Sequence, residues 1–130
     1  MSAARSPDPA PDAHASIEHL HDLASWQAAL DRHPAVMLFK HSPVCPVSAA
    51  ALVEWQQFLA EHPGVPTLFV DVLGDRPVAR GLAERCGVVH ASPQAILFRD
   101  GRPAWDASHN RITAESLAAA WAAHGAGGGD

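Results

Sequence analysis

The chain has 130 residues, enough for one domain with a proper core and too few for two ordinary ones. Apolar residues make up 48% and charged residues 18%, an ordinary globular balance. A net charge of −5 gives no electrostatic reason to bind nucleic acid or an anionic membrane, so small molecules and proteins are the expected partners.

The opening stretch MSAARSPDPAPDAHAS is small, Pro-rich and polar. It holds neither the apolar core of a signal peptide nor a span that would cross a bilayer. The pattern predicts a disordered segment over 1–15, a folded domain over 16–124 and a flexible Gly-rich tail over 125–130. With no export signal, the cytoplasm is the expected compartment. Two cysteines, Cys45 and Cys86, are there to be judged by reactivity rather than as a disulfide framework.

Inside the domain, SIEHL is a short strand candidate. Asp22 is placed to cap a helix with Leu23, Trp26 and Leu30 at helical spacing, and Pro34 follows its end. AVMLF is apolar at every position, which marks a strand covered on both faces. Pro46 suits the first position of the next helix, where Leu52, Trp55 and Leu59 form a stripe that stops before Pro63-Gly64. PTLFVDV is a second apolar strand. Asp75 and Pro77 open a shorter helix with Val78, Leu82 and Cys86 on one face, closed by Gly87. In QAILFRDGRPAWDAS, Asp100-Gly101 signals a type I′ hairpin. Thr113 then caps a last helix with Leu117 and Trp121 one turn apart. The order βαβαβαββα implies an α/β domain, a mixed central sheet between helices on both faces.

Cys45 lies where the apolar strand gives way to the long helix, the end of an open α/β sheet at which active sites gather. Unpaired N–H groups and the positive end of the helix dipole favour a thiolate over a thiol there. Lys40 and His41 could add positive charge, although Lys40 continues the strand. Ser42, Pro43 and Ser48 are small enough to leave the sulfur approachable. A reactive role for Cys45 follows, whereas Cys86 ends an apolar helix stripe and reads as packing. Ser48, one helical turn on, stands where a dithiol enzyme carries its second sulfur. A hydroxyl cannot attack a mixed disulfide and can only donate a hydrogen bond to the sulfur, so resolution must come from outside.

The element order, a cysteine opening the long helix, and a proline ahead of the hairpin in SPQAILFRDG resemble the thioredoxin fold. More narrowly, FKHSPVCPVS, SPQ and Ser108-His109 resemble the monothiol bacilliredoxins, YtxJ-like thioredoxin-fold proteins of the bacillithiol system. The resemblance runs from about Ile17 to Trp121, and its most specific part is the string Lys-His-Ser-x-x-Cys-Pro-x-Ser. It implies that Cys45 is the nucleophile, assisted by Ser48, and that Pro93 is a cis-proline facing it. Ser92 would present backbone groups to a disulfide-bearing chain, and Ser108 and His109 would fall on the loop after the last strand. His41, Ser42 and Pro46 complete the implied substrate-binding set. Phe39 stands where many thioredoxins carry a buried acid, so that assistance is absent or comes from elsewhere. The implied activity is monothiol thiol-disulfide exchange, with no bound cofactor, bacillithiol as co-substrate and S-thiolated proteins as partners.

Two other functions compete. One is an iron–sulfur binding module like the monothiol glutaredoxins, whose Cys-Gly-Phe-Ser loop differs from the stiffer Cys-Pro-Val-Ser here. The other is a non-enzymatic redox sensor, modified once and reset by something else. Nine histidines are scattered without structural-zinc spacing, His19 and His21 being expected on one face of a strand, and they read as solvated surface residues.

Overall fold

The computed structural model describes residues 17–125. The expected N-terminal segment and residues 126–130 of the expected tail lie outside the described residues. In chain order the elements are β1 (Ile17–His19), α1 (Leu23–Arg32), β2 (Ala35–His41), α2 (Pro46–Glu61), β3 (Thr67–Asp71), α3 (Arg76–Cys86), β4 (Gln94–Arg99) and β5 (Arg102–Ser108). A 3₁₀ turn (His109–Arg111), α4 (Ala114–Ala120) and a wider final turn (Trp121–Gly125) close the domain.

Five strands form one sheet in the order β1-β3-β2-β4-β5. The pairs β1/β3 and β2/β3 are parallel, whereas β2/β4 and β4/β5 are antiparallel. β2 lies in the middle because its residues 35–40 are all buried, and a strand without a polar face has to be covered on both sides. Side chains alternate across it. Val36 and Leu38 join Trp26, Leu30, Val78 and Leu82 of α1 and α3. Met37 and Phe39 join Trp55, Phe58 and Leu117 of α2 and α4 on the other face. No helix among the described residues is long and apolar enough to cross a membrane.

The local signals work as expected at several ends. Asp22 Oδ1 accepts the Ser25 amide at 2.7 Å, and Thr113 and Ser116 form a reciprocal capping box. Asp100 and Gly101 have φ of 53° and 80°, the left-handed pair that a type I′ hairpin requires. Gly87 ends α3 at φ 73°, where a Cβ would be strained.

Other expectations shift. The buried line of α2 is Ser48, Ala51, Trp55 and Phe58, with Leu52 and Leu59 only half-buried at its flank. So many residues of this helix are apolar that hydropathy did not single out the face. His21 lies beyond β1 and pairs with Asp75 at 3.0 Å. Gly125, assigned to the tail, is buried, and its carbonyl accepts from Arg99 at 2.9 Å.

Lys40 departs most from its sequence pattern. It is 0% exposed and faces the α1/α3 side of the sheet, where Nζ donates to Gln94 Oε1 at 2.8 Å. Burial pushes its ammonium from 10.5 down to about 8, with the Cys86 thiol acting the other way. Between those values the unfolded chain holds a proton that the native chain has released, so this group makes stability rise with pH across that window. Relative to Lys40→Met, which does not titrate, the wild type is predicted to gain up to about 3 kcal/mol of stability as pH rises from about 8 to 10.5. Urea melts of both proteins across that range check it; a constant difference between them contradicts it.

Candidate active site

Cys45 is the N-cap of α2, and Pro46 begins the helix behind it. A proline at that position needs no backbone donor, since the first helical N–H has no partner within the helix. The Cys45 amide donates to the Ser42 carbonyl at 3.3 Å, and its own carbonyl accepts from Ala49 at 3.0 Å. The residue is half-buried, between exposed Val44 and Val47. The thiol is free, and no side-chain hydrogen bond engages it as a cap.

Beneath it lies a polar junction. Ser48 is 0% exposed. Its Oγ accepts the Ser42 amide at 2.9 Å and pairs with His41 Nδ1 at 2.8 Å. The hydroxyl expected to serve the sulfur therefore ties the loop 42–45 and the end of β2 to the first turn of α2. If His41 carries its proton on Nε2, Ser48 donates to Nδ1; if on Nδ1, the imidazole donates and the Ser48 proton is free to turn elsewhere.

His41 follows Phe39 on the α2 face of β2. Its ring lies 6.0 Å from that of Phe39 and 5.7 Å from that of Phe69, and Phe39 in turn stacks on Trp55 at 5.0 Å. Burial pushes the His41 imidazole below the usual histidine range, while the Asp71 carboxylate pulls it upward. Asp71 is its register partner on β3. The Gly74 and Leu73 amides on its Oδ1 hold that carboxyl below the usual range. Burial of His41 thus disfavours the charged imidazolium. Of the two residues that could add positive charge, His41 is disfavoured as a cation by burial, and Lys40, continuing the strand, is turned to the opposite face of the sheet.

The remaining predicted residues converge from the other side. The Ser92–Pro93 bond is cis. The Pro93 carbonyl accepts the His109 amide at 3.1 Å, and Ser108 is the register partner of Gln94. This brings Ser108 and His109 beside the cis-proline, with His109 exposed and left-handed at φ 56°. Ser92 Oγ is buried without a hydrogen-bond partner. A groove of about 190 Å³ runs from Val47 past Ala50 and Glu54 to His109 and Asn110. Cys86 stays apart: its thiol donates to the Leu82 carbonyl at 2.8 Å and it packs on the α1/α3 core. The sequence did not reveal the His41–Ser48 bond. Its available signal was the period-2 alternation that puts His41 on the face of Phe39, toward α2.

A family model described as monothiol bacilliredoxin BrxC matches residues 18–117. The chain belongs to the monothiol bacilliredoxin family. Membership gives it a thiol redox function and an interaction with a low-molecular-weight thiol. Among solved structures, it is similar to a protein described as having a thioredoxin fold and, provisionally, as an oxidoreductase. The two share 29% identity over 82% of this chain and 94% of that one, with a TM-score of 0.76. Mitochondrial thioredoxin 3 from Saccharomyces cerevisiae matches at 17% identity over 82% and 94% of the two chains, TM-score 0.64. Fasciola hepatica thioredoxin matches at 16% over 82% and 98%, TM-score 0.67. These two share the fold.

The state of His41 is open to direct measurement. NMR titration of its ring is predicted to give a midpoint below 6.5, and the contribution of this group to stability is lost as pH falls from 6.5 through that midpoint. A midpoint at or above 6.5 contradicts the lowering by burial.

Proposed function

We propose that this bacilliredoxin removes and exchanges bacillithiol mixed disulfides on proteins through Cys45 alone. The observation that carries the proposal is Ser48: at the position of a resolving sulfur stands a hydroxyl that is buried and held by Ser42 and His41. The Cys45 thiolate attacks the cap sulfur of a protein–bacillithiol disulfide. A disulfide between Cys45 and bacillithiol forms, and the protein leaves as a thiolate that takes up a proton. A second bacillithiol thiolate then attacks the cap sulfur, releasing Cys45 and forming bacillithiol disulfide. Each step exchanges one disulfide for another; over the whole cycle one free bacillithiol is consumed, it joins the cap in bacillithiol disulfide, and the protein thiol is regained.

His41, joined to α2 through Ser48, supports this chemistry by fixing the first turn that carries Cys45. Ser92 and cis-Pro93 support the docking of a disulfide-bearing chain, with exposed Val44 and Val89 offering apolar contact. The groove that begins at Val47, on the same helix that Cys45 caps, supports a place for the body of the cap.

A bacillithiolated protein mixed with the enzyme tests the proposal. The cap is expected to leave the substrate, and activity is expected to turn over only with free bacillithiol. Cys45→Ala is predicted to abolish transfer, and Cys86→Ser to leave it within about twofold. Ser48→Cys is predicted to release the cap internally as free bacillithiol, leaving a disulfide between Cys45 and the introduced thiol one turn along α2. Failure to accept a cap from any such substrate, with a cluster assembled instead, supports the iron–sulfur function; acceptance without regeneration by free thiol supports a sensor.

A further inference from the structure

A second polar cluster sits behind the cis-proline, on the sheet face away from α2. Lys40 and Gln94 are register partners on β2 and β4, and they are 0% and 2% exposed. Besides receiving Lys40 Nζ at 2.8 Å, the Gln94 carboxamide reaches the irregular stretch between α3 and β4. Its Nε2 donates to the Val89 carbonyl at 3.0 Å, and its Oε1 accepts the Ala91 amide at 3.4 Å. These two backbone groups belong to the segment that runs directly into Ser92–Pro93.

A carboxamide can sit in its site two ways, with oxygen and nitrogen exchanged. An ammonium has donors and no acceptor, so it selects the orientation that turns the oxygen to Lys40 and the amino group to the Val89 carbonyl. In the reverse orientation the amino group would face the Lys40 donor and the Ala91 amide, and the oxygen would face a carbonyl. A neutral residue of the same length would pack here with less desolvation than a buried ammonium, so stability alone gives no reason for the charge. Its consequence is a fixed direction for Gln94.

We propose that Lys40 is a positioning residue for the exchange reaction: by setting the Gln94 carboxamide it holds the Val89–Ala91 backbone, and through it the Ser92 backbone, in the shape that receives a disulfide-bearing chain. This rests on the exchange function proposed above. Lys40 acts through Gln94 and does not touch the reacting sulfur.

The test compares wild type with Lys40→Met on two substrates: an S-bacillithiolated peptide, which presents a backbone to Ser92, and 5,5′-dithiobis(2-nitrobenzoate), which has none. The variant is expected to raise KM for the peptide by roughly tenfold with kcat within about twofold, and to leave the rate with the small disulfide unchanged. An unchanged peptide KM in the folded variant overturns the proposal, and so does equal slowing with both substrates, which would place the effect at Cys45 itself. Hydrogen exchange gives an independent readout. The Gln94 side-chain amide and the Ala91 amide are expected to exchange slowly in wild type and faster in Lys40→Met. If the variant does not fold, fast exchange of the Gln94 side chain in wild type still overturns the proposal. If wild type reacts with the small disulfide and with no bacillithiolated peptide, the exchange function fails, and the Lys40 clamp is then decided by the exchange rates alone.

Discussion

The hydroxyl of Ser48 is the point on which the site depends. It is buried in the first turn of α2, takes the Ser42 amide and pairs with His41, so one oxygen joins the end of the central strand, the cysteine loop and the helix. An unmade hydrogen bond at such a buried place costs about 1–3 kcal/mol, which keeps the loop in one arrangement. The loop then presents Cys45 half-exposed at the helix start, with rigid Pro43 and Pro46 on either side. The same oxygen decides the chemistry. Where a dithiol enzyme places a second nucleophile, this protein has a group that is occupied and cannot attack sulfur.

Around that point the sheet supplies alignment. β2 is central, and its alternation sends Phe39 and His41 to one face and Lys40 to the other. The cis-proline is held on both sides: the His109 amide binds its carbonyl, and Gln94, the next residue, binds the backbone ahead of it. Cys45 and the cis-proline segment therefore hang from neighbouring strands, β2 and β4, joined by six register pairs. Placing reactive groups on rigid elements keeps their geometry precise in a way that a free loop would not.

Much of this was legible beforehand, because the signals are local. An apolar run, capping residues, a Pro at the helix start and an Asp-Gly turn each act through neighbouring backbone, and they gave the element order. The motif resemblance implied the cis bond now present at Ser92–Pro93 and placed His109 just after the last strand, while Ser108, expected on that loop, is instead the last residue of β5 and pairs with Gln94. What stayed hidden depends on contacts across the fold. Lys40 reads only as a charge continuing the strand toward Cys45 until Gln94, fifty-four residues on, is beside it. The partner of Ser48 was misjudged for a similar reason: His41 is close in sequence, but its side-chain direction depends on how Phe69 and Asp71 of β3 pair with β2. The buried face of α2 was hidden because apolar residues surround the helix.

Intact-protein mass spectrometry on the wild type, with one equivalent of a bacillithiolated protein and no free thiol, tests the central claim most directly. A single Cys45 site with external resolution predicts that the enzyme gains the mass of one bacillithiol, mapped to Cys45, and that this adduct persists until thiol is added. Spontaneous decay of the adduct to an internal Cys45–Cys86 disulfide would contradict the account, because it would show that the chain carries its own resolving sulfur.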